Sequence, residues 1–180
     1  MYLNCHTYYS LRYGTIKPED LLVITAKNGI QAIALTDINN TSACLNFVRL
    51  STNYNIKPIL GVDFRNGAKQ QFILIAKNNS GFQNINNYLS HFLHYKNLKI
   101  PARPEVLIDD CFVIYPYQKG KQYTLNPNEF IGIKPEDLNT LKFSKWNTKR
   151  HKLVILQTIS FQNKKGFNTH RLLRAIDNNT

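Results

Sequence analysis

The chain runs to 180 residues, 43% of them hydrophobic, with 23 Lys and Arg against 11 Asp and Glu for a formal net charge of +12. That length supports one domain with a sizeable core, and no apolar run approaches the roughly 20 residues of a bilayer-spanning helix. The three cysteines are widely spaced and no CxxC or HExxH pattern is present, which argues against a disulfide framework and a structural zinc site and for a reducing cytoplasm.

Leu3–His6 reads as a short apolar strand, and nothing before it has the basic and apolar regions of a signal peptide. Pro18 opens a helix with Glu19 and Asp20 in its first turn, where acids suit the helix dipole. Asn28-Gly29 closes that helix. Ala32–Leu35 is a buried strand. Thr41–Asn53 reads as a helix with Leu45 and Val48 facing the core and Phe47 as a third candidate. Ile59–Val62 is the third strand. Asn66-Gly67 signals a hairpin returning into Phe72–Ile75. Ser80 is placed to cap a helix carrying Phe82, Ile85, Leu89, Phe92 and Leu93 at helical spacing. Beyond it, Cys111–Tyr115, Phe130–Ile133 and Lys152–Gln157 read as strands and Phe167–Ile176 as the last helix. Three strand–helix units followed by more strands point to an α/β barrel or a doubly wound sheet.

Three of these strands run into a polar residue that could serve a metal: His6, Asp37 and Asp63. In parallel α/β architectures the carboxyl ends of strands share one face, so these side chains are candidates for a common site. Divalent metals accept imidazole and carboxylate together. A hydrolytic cluster needs more, since each ion requires several ligands and an open position for water.

Four blocks in order, Asn4–Gly14, Ala34–Asn40, Ile56–Phe64 and Leu74–Phe82, resemble the polymerase and histidinol phosphatase (PHP) domain at the amino terminus of the bacterial DNA polymerase III alpha subunit. Asn168–Asp177 is similar to the segment that closes that domain. The resemblance covers nearly the whole chain, weakly over 97–150. It implies a single domain over 1–180 with a distorted, TIM-barrel-like (β/α)7 fold, an N-terminal fragment of a much longer polymerase chain. Active members hold a cluster of metals on His, Asp and Glu ligands, hydrolyse phosphoesters and, in some polymerases, proofread.

Carried over residue by residue, the resemblance implies heavy loss of that cluster. The first His–x–His pair falls on Asn4-Cys5-His6, the next acid on Tyr13, and the His after Thr-Asp on Ile38. The following carboxylate is kept as Asp63. The His of the fourth block falls near Gln71, and the late Asp–x–His on Ile159-Ser160-Phe161. A further His finds no match among residues 97–150. Asp37 is implied to orient its loop rather than to ligate. Ile38, Ile159 and Phe161 are expected to fill the pocket with apolar bulk, and His6 to be a buried, hydrogen-bonded imidazole. The expectation is no catalytic residue, no bound metal and no cofactor.

The Lys142–Lys152 stretch is the densest basic segment. Lys142, Lys145, Lys149 and Arg150 read either as a solvated face or as phosphate contacts, with Trp146 as a ring for a base to stack on. Lys119, Lys121 and Lys134 form a second basic group. His91 and His94 are spaced to share a metal but lack an acid, and read as an exposed pair. His151 reads as a surface residue and His170 as a packing residue. Ser10 and Ser160 lack a G-x-S-x-G context, and no P-loop is present. Three readings remain. The first is a metal-free structural and interaction module in DNA replication, whose partners are the remainder of the alpha subunit and other replisome subunits. The second is a residual phosphoesterase or 3'-5' exonuclease holding zinc, manganese or magnesium. The third is a DNA-contacting module. None involves a membrane. By the resemblance the parent is a DNA-directed DNA polymerase, a nucleotidyltransferase, and this segment alone is expected to be inactive.

Overall fold

The computed structural model describes residues 1–95, 98–121 and 124–180. The chain divides into two units, Met1–Val62 with Thr158–Thr180, and Asp63–Gln157.

In the first unit, α1 (Pro18–Lys27) follows its sequence signals closely. Pro18 sits at its first turn with Glu19 and Asp20, and Lys27 lies in the last. Pro18, Leu21, Leu22 and Thr25 are buried at helical spacing, so one stripe faces the core. β2 (Ala32–Leu35) pairs in parallel with the first part of β3 (Lys57–Asn66), Ala32 opposite Lys57 and Leu35 opposite Leu60. β1 (Asn4–Cys5) lies beside β2 through Thr36 N–H to the Cys5 carbonyl (3.0 Å). On its other edge it pairs in parallel with β8 (Thr158–Ile159). The sequence gives no separate signal for this last strand.

α2 (Cys44–Ser51) is shorter than expected, continuing as a 3₁₀ turn over Thr52–Tyr54. Its buried residues are Cys44, Phe47 and Ser51. Leu45 is 75% exposed and Val48 is exposed as well, so the expectation that these two face the core is corrected. Steps of three and then four from Cys44 reach Phe47 and Ser51 on one face and leave Leu45 off it. The unit ends in α5 (Lys164–Asn178), capped by Asn163, whose side chain accepts from Gly166 N–H (2.9 Å).

The loop after β1 is compact. Gly14 N–H reaches the Ser10 carbonyl (2.9 Å), and Ser10 N–H the Thr7 carbonyl (2.9 Å). A Cβ on Gly14 would collide with the Thr7 carbonyl. Gly14→Ala is therefore expected to cost about 1–3 kcal/mol, read as a lowered urea midpoint. An unchanged midpoint would mean that the loop moves aside freely.

In the second unit, β3 turns through Gly67-Ala68 into β4 (Lys69–Ala76). Gly67 takes φ +57°, a conformation that suits a two-residue hairpin turn. β4 pairs antiparallel with β5 (Cys111–Pro116). β5, β6 (Glu129–Ile133) and β7 (Leu153–Ile155) then run parallel in sequence order. α3 (Asn79–His94) begins two residues too early for Ser80 to cap it. Asn78 is the cap instead, accepting from Gly81 N–H (2.9 Å). Ile85 and Leu89 are buried, while Leu93 is exposed. The core of this unit is aromatic. Phe64 stacks on Phe72 at 5.1 Å and meets Tyr88 edge-on at 5.5 Å. A short helix α4 (Leu138–Leu141) and two 3₁₀ turns, Lys145–Thr148 and Arg150–Lys152, lead to β7. The fold is mixed α/β, with eight strands and five α-helices among the described residues.

Candidate functional site

The positions singled out by the sequence are divided between the two units. Asn4, His6, Tyr13, Asp37, Ile38, Ile159 and Phe161 lie in the first, and Asp63 and Gln71 in the second.

In the first unit the chemistry gathers at the carboxyl ends of β1 and β2. Asp37, just beyond β2, is 2% exposed. Its Oδ1 accepts from Thr7 N–H (2.6 Å) and Ser10 Oγ–H (2.7 Å), and its Oδ2 from Thr7 Oγ1–H (2.7 Å). Ser10 Oγ accepts in turn from Ile38 N–H (2.9 Å), which closes a ring between the two loops. Burial pushes the Asp37 carboxyl above the usual carboxylate range, against the pull of the Ser10 and Thr7 hydrogen bonds and of His6.

His6 is fully buried. Its Nδ1 lies 3.1 Å from Ser160 Oγ, its backbone N–H donates to the Ile159 carbonyl (2.8 Å), and its ring meets Tyr13 edge-on at 5.2 Å. Asn4 donates through Nδ2 to Thr158 Oγ1 (2.9 Å) and accepts at Oδ1 from Thr36 Oγ1–H (3.1 Å). Tyr13 binds α5: its carbonyl lies 2.6 Å from His170 Nδ1, and Arg174 lies over its ring at 5.2 Å. His170 is thus a packing residue, as expected.

The expected apolar filling is corrected. Phe161 is 40% exposed, and Ile38 and Ile159 are half-buried. The buried members are polar instead: His6, Thr7, Ser10, Asp37 and Ser160. Successive residues of extended chain point to opposite faces, so bringing Ser160 inward turns Ile159 and Phe161 away. Neighbouring thiols offer no nucleophile. Cys5 and Cys44 are each pushed up to about 12, by burial first and the Asp37 charge second.

In the second unit Asp63 is fully buried against Arg65. Its Oδ2 accepts from Arg65 Nε–H (2.9 Å) and Nη2–H (2.8 Å). Gln71 is buried and donates to the Lys69 carbonyl (3.1 Å). Glu129, which the sequence did not single out, takes the Tyr115 hydroxyl (2.8 Å), Asn126 N–H (2.7 Å) and the Arg103 guanidinium. His91 and His94 are exposed at the end of α3, and His151 is exposed too. Among the described residues no three His, Cys, Asp or Glu side chains are placed to hold a metal ion.

Lys142, Lys145, Lys149 and Arg150 are exposed, but Trp146 is only 5% exposed and cannot offer a stacking face to solvent. The exposed ring in that stretch is Phe143, at 94%. Sequence reasoning also missed Thr7 and Arg65, and weighed Ser10 and Ser160 only as nucleophiles. Arg65 had a usable signal, because residues two apart on a strand share a face.

A family model for the PHP domain matches residues 3–124, and the chain belongs to that family. Within it, the chain is similar to the DNA polymerase III subunit alpha of Ureaplasma parvum, 25% identical over 179 residues, covering 98% of this chain and 18% of that protein. The subunit of the same name from Staphylococcus aureus is 26% identical over 186 residues, 99% of this chain and 17% of that protein. The chain therefore spans less than a fifth of the length of these relatives. An amidohydrolase from Chromobacterium violaceum shares the fold at a TM-score of 0.50 and 10% identity, over 88% of this chain and 87% of that one. No helix among the described residues is long and apolar enough to cross a membrane.

Proposed function

We propose that this chain is a metal-free PHP domain serving as a structural and interaction module of a replicative DNA polymerase III alpha subunit. The observation that carries the reading is that the surviving ligand-type side chains already have protein partners. Asp63 is engaged by the Arg65 guanidinium, His6 faces Ser160, and Asp37 takes three hydrogen bonds from Thr7 and Ser10. A cation competing for Asp63 would have to displace a buried guanidinium held by charge-assisted bonds. Asn4, Tyr13 and Ile38 stand where the resemblance implies His and acid ligands, and Asn4 is itself hydrogen-bonded on both amide atoms. This donor set does not fit a cluster of divalent ions, each of which needs several ligands and an open position.

A single PHP domain, the TIM-barrel-like (β/α)7 arrangement, a cytoplasmic setting, and partnership with the rest of the alpha subunit and with other replisome subunits belong to the same proposal. The family match and the names of the curated relatives support them. Polymerase activity is a property proposed for the parent protein.

Metal analysis after incubation with zinc and manganese and desalting tests the reading. Less than about 0.1 equivalent bound is the expected result. About two equivalents, the stoichiometry of a paired-metal hydrolase, would overturn it and favour the residual phosphoesterase.

A further inference from the structure

The second unit holds a cavity of about 640 Å³ between the turn after β5 and the segment following α4. Lys121 N–H closes that turn on the Gln118 carbonyl (3.1 Å), placing Lys119 and Lys121 along one rim. Lys145 and Phe143 line the other, with Asn139 and Thr140 as neutral polar groups. All three lysines are exposed, and among the described residues no carboxylate lines the cavity. The nearest acid in sequence, Asp137, already accepts from Lys134 N–H (2.9 Å). Two basic groups that lie apart in the sequence thus meet around an exposed aromatic ring, with half-buried Tyr117 also in the lining. That ring, Phe143, is 94% exposed, while the neighbouring Trp146 is buried as the floor of the segment.

We propose that this cavity binds single-stranded nucleic acid, with Lys119, Lys121 and Lys145 on backbone phosphates and Phe143 stacked on a base. Amines supply the salt-dependent phosphate contacts, and an exposed ring supplies sequence-tolerant stacking. A duplex would satisfy the lysines but keep its bases stacked inside, leaving Phe143 in water. An acidic polypeptide would likewise engage the lysines without needing the ring. The volume lies within the range of small-ligand clefts, so it accommodates one or two nucleotides at a time. This site goes beyond the module reading and is independent of metal content, so either can fail while the other stands.

Fluorescence anisotropy of a labelled oligothymidylate with the protein, over a series of salt concentrations, provides the test. Three phosphate contacts predict log affinity falling against log salt with a slope of about −2. Phe143→Ala should weaken binding roughly tenfold, within the usual range for one stacked base, and Phe143→Tyr should retain it. Lys119→Glu with Lys121→Glu should weaken it at least as much. Lys17→Glu with Lys27→Glu makes the same charge change on exposed positions outside the cavity lining and should matter little at about 150 mM salt, where general electrostatic attraction is screened. Equal losses from the two double variants would overturn the site in favour of general electrostatic attraction. Unaltered affinity in Phe143→Ala, with polyglutamate competing as well as the oligonucleotide, would overturn it in favour of an acidic polypeptide partner. Because Phe143 is almost wholly in solvent, its variants should keep the thermal midpoint, and the comparison then reads binding alone.

Discussion

Asp37→Ala should lower the unfolding free energy by about 3–5 kcal/mol, a large part of the 5–15 kcal/mol typical of a whole domain. The Asp37 carboxylate accepts from Thr7 N–H, Thr7 Oγ1–H and Ser10 Oγ–H, and all three residues are buried. Each donor left without an acceptor costs about 1–3 kcal/mol. The losses overlap, because one water entering the void could satisfy part of the set. Asp37→Asn keeps one acceptor oxygen and should cost less than Asp37→Ala. Urea unfolding of the two variants measures both numbers. Equal and small losses would show that the two loops are held elsewhere.

The same residue gives a pH dependence. Burial raises the folded-state pKa of Asp37 above its unfolded value, so the folded state binds the proton more tightly. Protonation therefore contributes stability that is fully present below the unfolded pKa and is lost as pH rises through the folded one. The stability of the natural chain relative to Asp37→Asn should accordingly improve on going from pH 7 into the ordinary carboxylate range. Groups common to both proteins cancel in that difference. A difference that shrinks on acidification would mean that the hydrogen bonds outweigh burial.

What was legible in the sequence is what short-range chemistry dictates. α1 announced itself by Pro18, two acids and a core stripe, and β2 by four apolar residues between polar neighbours. β8 could not be read that way. It is two residues long and is a strand only because Thr158 and Ile159 pair with Asn4 and Cys5, far away in sequence. α2 carries apolar residues on two faces, and only packing decides that Phe47 is inside and Leu45 outside. Around Trp146 the chain forms 3₁₀ turns, where the 3.6-residue period that separates inner from outer faces does not apply. Phe143 lies in the turn just before the first of them, and only packing decides that Trp146 is inside and Phe143 outside.

The candidate site was legible in its positions and not in its filling. His6 and Asp37 do stand just beyond β1 and β2, whereas Asp63 lies inside β3, three residues before its end. Substitution of ligands by Tyr, Ile and Phe suggested an apolar plug, yet the buried groups around Asp37 and His6 are hydroxyls. Thr7, Ser10 and Ser160 are unremarkable in sequence, since serine and threonine are found everywhere on surfaces. Only the closure of the ring Thr7–Asp37–Ser10–Ile38 gives them a role.

Arg65→Met should be the other costly change, at about 3–5 kcal/mol, the usual penalty for stripping a buried ion of its partner. Asp63 is wholly buried and Arg65 is 8% exposed, with two guanidinium N–H groups on one carboxylate oxygen. Expectation from sequence ended this strand at Val62, but β3 continues to Asn66, and that extension puts Asp63 and Arg65 on one face. Once Arg65 is gone, the carboxylate must either stay charged without the guanidinium or take up a proton. Asp63→Leu with Arg65→Met removes both charges and should recover most of the loss, because a buried ion pair is often no better than apolar packing of similar volume. The thermodynamic cycle of the two single variants and the double should then show a coupling of at least about 2 kcal/mol. Zinc added to Arg65→Met separates two meanings of the pair. If Arg65 only balances a structural carboxylate, zinc leaves the Arg65→Met midpoint unchanged. Recovery of the midpoint with bound zinc would instead mean that the guanidinium stands in for a cation at a site still able to take one, and the metal-free reading of the domain would fall with it.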